Sequence, residues 1–296
     1  MLTYDHCTLC PRQCGADRAA GGLGYCRMPG QMRAARAAAH YWEEPVISGS
    51  FGSGAVFFSG CTLGCRFCQN TEISREGFGK SLTATDLRRV LLRLIDEGVQ
   101  NINLVTPTHF LPEIIPALTP KLPVPVVYNW GGYERVETLR ALEGLVDIYL
   151  PDFKYSDGAL AGQLSGAPDY PAVAEAALRE MFRQVGRPCV EDGIMTRGMI
   201  VRHLVLPGHV DNSLGVLDRI AAMFRPGDVL FSLMSQYVPM GEAKNIPPFD
   251  RAVTADEYAA VVSWMELCGI EDGFLQDHTA ASAGYIPEFN LEGLEF

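Results

Sequence analysis

The sequence has no run of Lys or Arg, and its acidic residues outnumber the basic ones 35 to 24. It therefore offers no electrostatic footprint for a polyphosphate backbone, and nucleic acid is not expected as a substrate. Nowhere do apolar residues run for the roughly eighteen positions that a membrane span needs. The opening Met1-Leu2-Thr3-Tyr4-Asp5-His6-Cys7 lacks a basic stretch followed by an apolar one, so no export signal is visible and a soluble cytoplasmic protein is expected. There is also no internal repeat and no low-complexity segment, although the Ala-rich stretch from Ala34 to Ala39 weakens local assignment.

What the chain does have is cysteine, in an uneven distribution. Seven of its nine thiols lie within residues 7 to 68, in two clusters, while Cys189 and Cys268 stand alone. Without an export signal a disulfide framework is not expected, because the cytosol keeps such bonds reduced. Clustering points instead to metal or iron–sulfur ligation. The isolated Cys189 and Cys268 read as buried apolar thiols.

At 296 residues and 48% hydrophobic content, the chain can bury a substantial core, sized for one α/β barrel and a small appendage. From Ala55 onward, strand-like and helix-like patterns alternate. Ala55-Val56-Phe57-Phe58, Asn101 to Val105, Val124 to Tyr128, Val146 to Leu150, Met199 to Leu206, Val229 to Met234 and Phe274-Leu275 read as strands. Asp86 to Glu97, opened by Thr85, then Glu134 to Leu142, Ala172 to Gln184, Ser213 to Met223 and Ala255 to Cys268 carry helical spacing. Six or seven βα units predict a parallel sheet curled into a full or partial barrel. Residues 1–50 are glycine-rich with little apolar periodicity, suiting a small Cys-rich segment stapled by a metal or cluster. The boundary with the 51–296 barrel falls in Ser48-Gly49-Ser50-Phe51-Gly52-Ser53-Gly54.

Cys61-Thr62-Leu63-Gly64-Cys65-Arg66-Phe67-Cys68 follows the first barrel strand directly, at the end where barrels collect their chemistry. Chance would place two cysteines at these offsets roughly once in a thousand, so the spacing is specific. Three local thiolates leave one iron of a [4Fe-4S] cluster open to a small molecule, whereas a zinc knuckle would need a fourth ligand from elsewhere.

In these residues the sequence resembles the radical S-adenosylmethionine (SAM) superfamily, whose signature has this spacing and an aromatic, here Phe67, before the last cysteine. The resemblance implies a [4Fe-4S] cluster on Cys61, Cys65 and Cys68, with SAM bound at the open iron and split reductively to a 5′-deoxyadenosyl radical. Cys68-Gln69-Asn70, Asp152-Phe153-Lys154, Leu206-Pro207-Gly208 and Cys7-Thr8-Leu9-Cys10-Pro11-Arg12-Gln13-Cys14 are similar to one branch, the pyruvate formate-lyase-activating-enzyme-like proteins. That likeness implies an oxidoreductase served by a low-potential flavodoxin or ferredoxin. Its partner would be a glycyl radical enzyme, from whose glycine it removes a hydrogen atom. It also places Lys154 and Arg202 near the SAM carboxylate and ribose. Where relatives carry Gly-Gly-Glu for the SAM ammonium, this chain reads Val105-Thr106-Pro107-Thr108-His109. Thr106 or Pro107 can offer a backbone carbonyl there but no carboxylate. Modification of a small molecule or a peptide is the alternative activity, and a metal-binding scaffold without turnover is the alternative class.

Cys7, Cys10, Cys14 and Cys26, separated by two, three and eleven residues, can close a tetrahedral zinc site or ligate every iron of a second [4Fe-4S] cluster, and spacing does not separate the two. Substrate readers are sought in His40-Tyr41-Trp42-Glu43-Glu44-Pro45, whose aromatics and carboxylates suit a cationic or peptide group. They are also sought at strand ends, in Asn129, Gln236, Tyr237, Asp277 and His278. His109, also at a strand end, is either a substrate contact or a structural hydrogen-bonding residue.

Overall fold

A computed structural model of the chain describes residues 2–277 and 287–295. Its strands are β1 (Arg33–His40), β2 (Ser53–Phe58), β3 (Lys80–Ser81), β4 (Ile102–Val105), β5 (Val126–Trp130), β6 (Ile148–Pro151), β7 (Cys189–Glu191), β8 (Ile194–Leu204), β9 (Leu230–Met234) and β10 (Gly273–Leu275). The α-helices are α1 (Pro45–Ser48), α2 (Thr71–Ser74), α3 (Ala84–Asp96), α4 (Leu111–Ala117), α5 (Val136–Arg140), α6 (Gly158–Ser165), α7 (Tyr170–Val185), α8 (Val210–Met223) and α9 (Ala255–Leu267).

The sheet runs in the order β10-β9-β8-β6-β5-β4-β2-β1-β3. From β2 to β10 every pairing along that path is parallel, as repeated βα crossovers require. The path ends at β10 and at β3, so the expected barrel is a partial one. One cavity is lined from β2 at one end of the parallel run to β10 at the other, which requires the sheet to curl around it.

Local sequence explains the covering helices. Thr83 caps α3, its side chain accepting from the Asp86 N–H while Asp86 answers the Thr83 N–H. This reciprocal box starts the helix two residues earlier than expected from Thr85. Leu87, Val90, Leu91 and Leu94 then fall on one buried face. Thr254 and Glu257 repeat the device at α9. No helix among the described residues is long and apolar enough to cross a membrane.

Residues 1–50 do not stand apart from the sheet. Arg33–His40 pairs antiparallel with β2, register Ala37 to Val56 and His40 to Ser53. Alanine runs carry weak strand preference, but Ala34, Ala35 and Ala37 are fully buried, and tertiary packing decides the state. α1 continues the segment beneath the parallel strands, where Ile47 packs with Val127, Ile148, Leu150, Met195 and Ile200.

Candidate active site

The cavity, of about 600 Å³, has its roof in the loop after β2. Cys61, Cys65 and Cys68 all line it, together with Leu63 and Phe67. The Gly64 N–H donates to Cys61 Sγ at 3.4 Å, the Ser165 hydroxyl to Cys65 Sγ at 3.1 Å, and Ser74 Oγ lies 3.4 Å from Cys68 Sγ. Burial, with Cys68 and Cys65 close by, pushes the Cys61 thiol up to about 12. A thiol in this state ionises readily only against a strong cation, and bound iron is one. Phe67 packs against the Tyr237 ring at 5.9 Å. No three His, Cys, Asp or Glu side chains among the described residues form a group that could hold a metal ion. A [4Fe-4S] cluster asks only that each of the three thiolates meet its own iron, and all three cysteines line the one cavity.

The side walls are polar at the strand ends. Lys154, after β6, donates to Asp152 at 2.5 Å. Arg202 of β8 donates through Nε to Asp152, through Nη1 to Glu43 and through Nη2 to Asn129, at 2.9, 2.9 and 2.6 Å. Glu43 Oε1 also accepts from Asn103 and Asn129, at 3.0 and 2.9 Å. Burial disfavours every charge here. Even so, Arg202 and Lys154 hold the Asp152 carboxyl below its usual range, and Asp152 raises Lys154. Glu44 goes the other way, since burial outweighs Arg202 and raises it. Thr106 lines the same cavity with φ of +61°, a costly conformation for a β-branched residue. Its N–H is held by the Asn129 carbonyl at 2.9 Å.

Of the sequence candidates, the cavity gathers Cys61, Cys65, Cys68, Phe67, Thr106, Asn129, Lys154, Arg202 and Gln236, with His40, Trp42, Glu43 and Glu44. Tyr237 is only 1% exposed and its hydroxyl donates to the Phe249 carbonyl at 2.8 Å, a packing role. His109 is buried outside the cavity, its Nε2 2.7 Å from the Ser59 carbonyl, so it is a structural residue and not a substrate contact. Asp277 is absent from the lining, its carbonyl accepting from the Ser235 hydroxyl at 2.6 Å, and His278 lies outside the described residues. The sequence reading missed Asn103, whose signal was a polar residue inside the apolar strand Ile102-Asn103-Leu104-Val105. It also missed Ser232 of β9, for which no signal existed.

Cys7, Cys10 and Cys26 are buried and Cys14 is exposed. A methyl group placed on Gly24 would lie 3.2 Å from Cys26 Sγ and 3.4 Å from Cys14 Sγ, so those two sulfurs flank one glycine. Arg18, buried beneath them, lies 3.6 Å from Cys7 Sγ through Nη1. Cys189 is exposed and Cys268 half-buried, against the expectation of two buried thiols. Cys189 sits in the hairpin strand β7, every residue of which is exposed, and Cys268 follows α9 where the helix leaves the core.

The fold and the cavity thus define a parallel partial barrel with a three-cysteine loop at the end of its first parallel strand. Residues 55–152 match the Radical SAM superfamily. Domains of this kind use a [4Fe-4S] cluster and SAM. An uncharacterized protein of Methanocaldococcus jannaschii is 29% identical over 86% of this chain and 72% of its own length. Streptococcus suis SuiB, solved with its precursor peptide SuiA, has a TM-score of 0.47 at 12% identity, over 73% of this chain and 46% of that one. The present chain therefore spans less than half the length of SuiB. Methylornithine synthase (PylB) has a TM-score of 0.46 at 12% identity, over 73% of this chain and 68% of that one.

Proposed function

We propose that the chain is a radical SAM oxidoreductase in which Cys61, Cys65 and Cys68 hold a [4Fe-4S] cluster with one open iron. The observation that carries this reading is that all three thiols line the same cavity as Lys154 and Arg202. When bound, the reduced cluster supplies the electron that splits SAM and so permits abstraction of a hydrogen atom from a substrate. The chain's own residues bind and orient. Lys154 and Arg202 offer charge-assisted contacts to the SAM carboxylate and ribose, Thr106 offers its backbone carbonyl to the ammonium, and Phe67 walls the cluster. Such chemistry needs a one-electron reductant, for which a low-potential flavodoxin or ferredoxin is the proposed donor.

Two substrate readings follow. The resemblance to glycyl-radical-activating proteins points to a glycine of a partner enzyme. The Glu44 carboxyl on the cavity lining, which has no ion pair among the described residues, favours the other reading, a polar small molecule or peptide, because a glycine backbone has no charge to match it. Anaerobic reduction of the reconstituted protein with SAM tests the proposal. Formation of 5′-deoxyadenosine is expected, and it should vanish in Cys65→Ala. Undiminished product in that variant would overturn the assignment. An iron-loaded chain that never forms 5′-deoxyadenosine would instead be a metal-binding scaffold.

A further inference from the structure

The floor of the cavity holds more acceptors than its own donors serve. Arg202, Asn129 and Asn103 direct their N–H groups to Glu43, Asp152 and one another, and Lys154 turns to Asp152. Among the described lining residues two acceptors, Glu44 Oε2 and Asn70 Oδ1, are buried without a hydrogen-bond partner, and Asn103 Oδ1, beside Glu43, is likewise unpartnered. Glu44 is 8% exposed and forms part of the cavity wall. Its other polar contacts are the Ser232 hydroxyl and its own backbone N–H, with the Arg202 charge nearby. Leaving a buried carboxylate oxygen without a donor is costly, and an incoming donor removes that cost.

Charge points the same way. Aside from the cysteines, the described lining has three carboxylates, Glu43, Glu44 and Asp152, against two cations, Lys154 and Arg202. Glu43 and Asp152 form the ion pairs with these cations, and among the described residues Glu44 forms none. Trp42, on the same wall, adds an aromatic face, and such faces attract cations. Glu44 neighbours β8 and β9 through Arg202 and Ser232, whereas the cysteine loop and Thr106 follow β2 and β4. Glu44 thus lies beside Arg202, on the β8–β9 side of the cavity.

We infer that Glu44 is the substrate-recognising carboxylate of this cavity, and that the group it receives is a protonated amine. The amine belongs either to a small molecule or to a lysine-like side chain of a peptide. This rests on the cavity being the SAM site proposed above. Burial raises the Glu44 carboxyl, and a bound ammonium would hold it ionised.

The test is anaerobic calorimetry on reconstituted, SAM-saturated protein without reductant, so that its outcome is independent of 5′-deoxyadenosine formation. The probes are n-butylammonium, acetyl-lysine methylamide and the neutral n-butanol. At least one cationic probe should bind about tenfold or more tightly than butanol, and Glu44→Gln should erase that preference. Tighter binding of the lysine derivative would identify a peptide source, and exclusive binding of butylammonium a small molecule. Equal affinity for butylammonium and butanol in the wild-type protein would overturn the inference without recourse to any variant. So would a preference that survives in Glu44→Gln, or a Glu44→Gln protein that loses SAM affinity instead, which would give this carboxylate to SAM.

Discussion

Arg12 donates through Nε to the carbonyl of Thr62 at 2.9 Å. The same guanidinium reaches the carbonyls of Leu63 at 3.1 Å and Ser165 at 2.7 Å, and that of Gly166, while lying over the Tyr25 ring at 4.0 Å. Arg12 stands between Cys10 and Cys14, and Thr62 between Cys61 and Cys65. One side chain therefore ties the two cysteine segments together, and the Cys61 N–H adds a bond to the Cys26 carbonyl at 3.4 Å.

A planar guanidinium has five donors in a fixed fork and here meets four carbonyls, whereas an ammonium has only three donors on a compact head. Arg12→Lys is therefore expected to lose about 1–3 kcal/mol of stability, the scale of charge-assisted hydrogen bonds. Urea unfolding of the reconstituted chain reads the loss. A midpoint equal to that of the wild-type protein would show that the clamp does not bear on stability.

The two cysteine sets should also separate by metal content. Replacing Cys7 and Cys10 by Ala is expected to remove iron beyond the four atoms of the barrel cluster and leave the latter in place. One zinc per chain, with iron confined to the barrel cluster, would instead establish a structural zinc knuckle.

How far this was visible beforehand differs by element. The β2, β4, β5, β6, β8 and β9 runs were legible because buried parallel strands are nearly continuous in Val, Ile, Leu and aromatics. The three-cysteine loop was legible because its ligands are local in sequence. β1 was not, since its alanines become strand only through pairing with β2. Nor was the junction of Glu43 with Arg202, 159 residues apart, because local patterns carry no record of which polar groups meet across a barrel. Helices α4 and α6 are short, and α4 is interrupted by Pro116, so neither shows enough periodicity to be found.

His203 makes the stability pH-dependent. The Phe153 carbonyl, 2.7 Å from Nδ1, can only accept, so the proton sits on Nδ1 and Nε2 accepts from the Ser213 hydroxyl at 2.8 Å. Burial lowers this imidazole to about 4, with Lys154 also disfavouring its charge and Asp152 opposing. Because the folded value lies below the unfolded one of about 6.5, the contribution is complete above that pH and declines as pH falls toward 4. Between pH 7 and 5 the fall from this one group should be about 2 kcal/mol. His203→Asn, which can still donate to Phe153, should unfold more easily at pH 7 yet lose less on acidification. Equal losses in the two proteins would assign the pH dependence elsewhere.

Lys154 and Arg202 should part company on substitution, although both are proposed to meet SAM. Lys154 forms its ion pair with Asp152, and Asp152 keeps Arg202 when the lysine is removed. Lys154→Ala is therefore expected to keep its fold and iron content and to weaken SAM binding by roughly ten- to hundredfold, the cost of one charge-assisted contact. Arg202 is shared among Asp152, Glu43 and Asn129, and its removal leaves Glu43 without its cation beside the Glu44 carboxyl. Arg202→Ala should lose about 3–5 kcal/mol of stability in addition to SAM affinity, as expected when one partner of a buried ionic group is deleted. Thermal unfolding and anaerobic SAM titration of the two variants, after iron analysis, separate these effects. If both bind SAM with wild-type affinity, the two cations are structural and the SAM carboxylate is held by other residues.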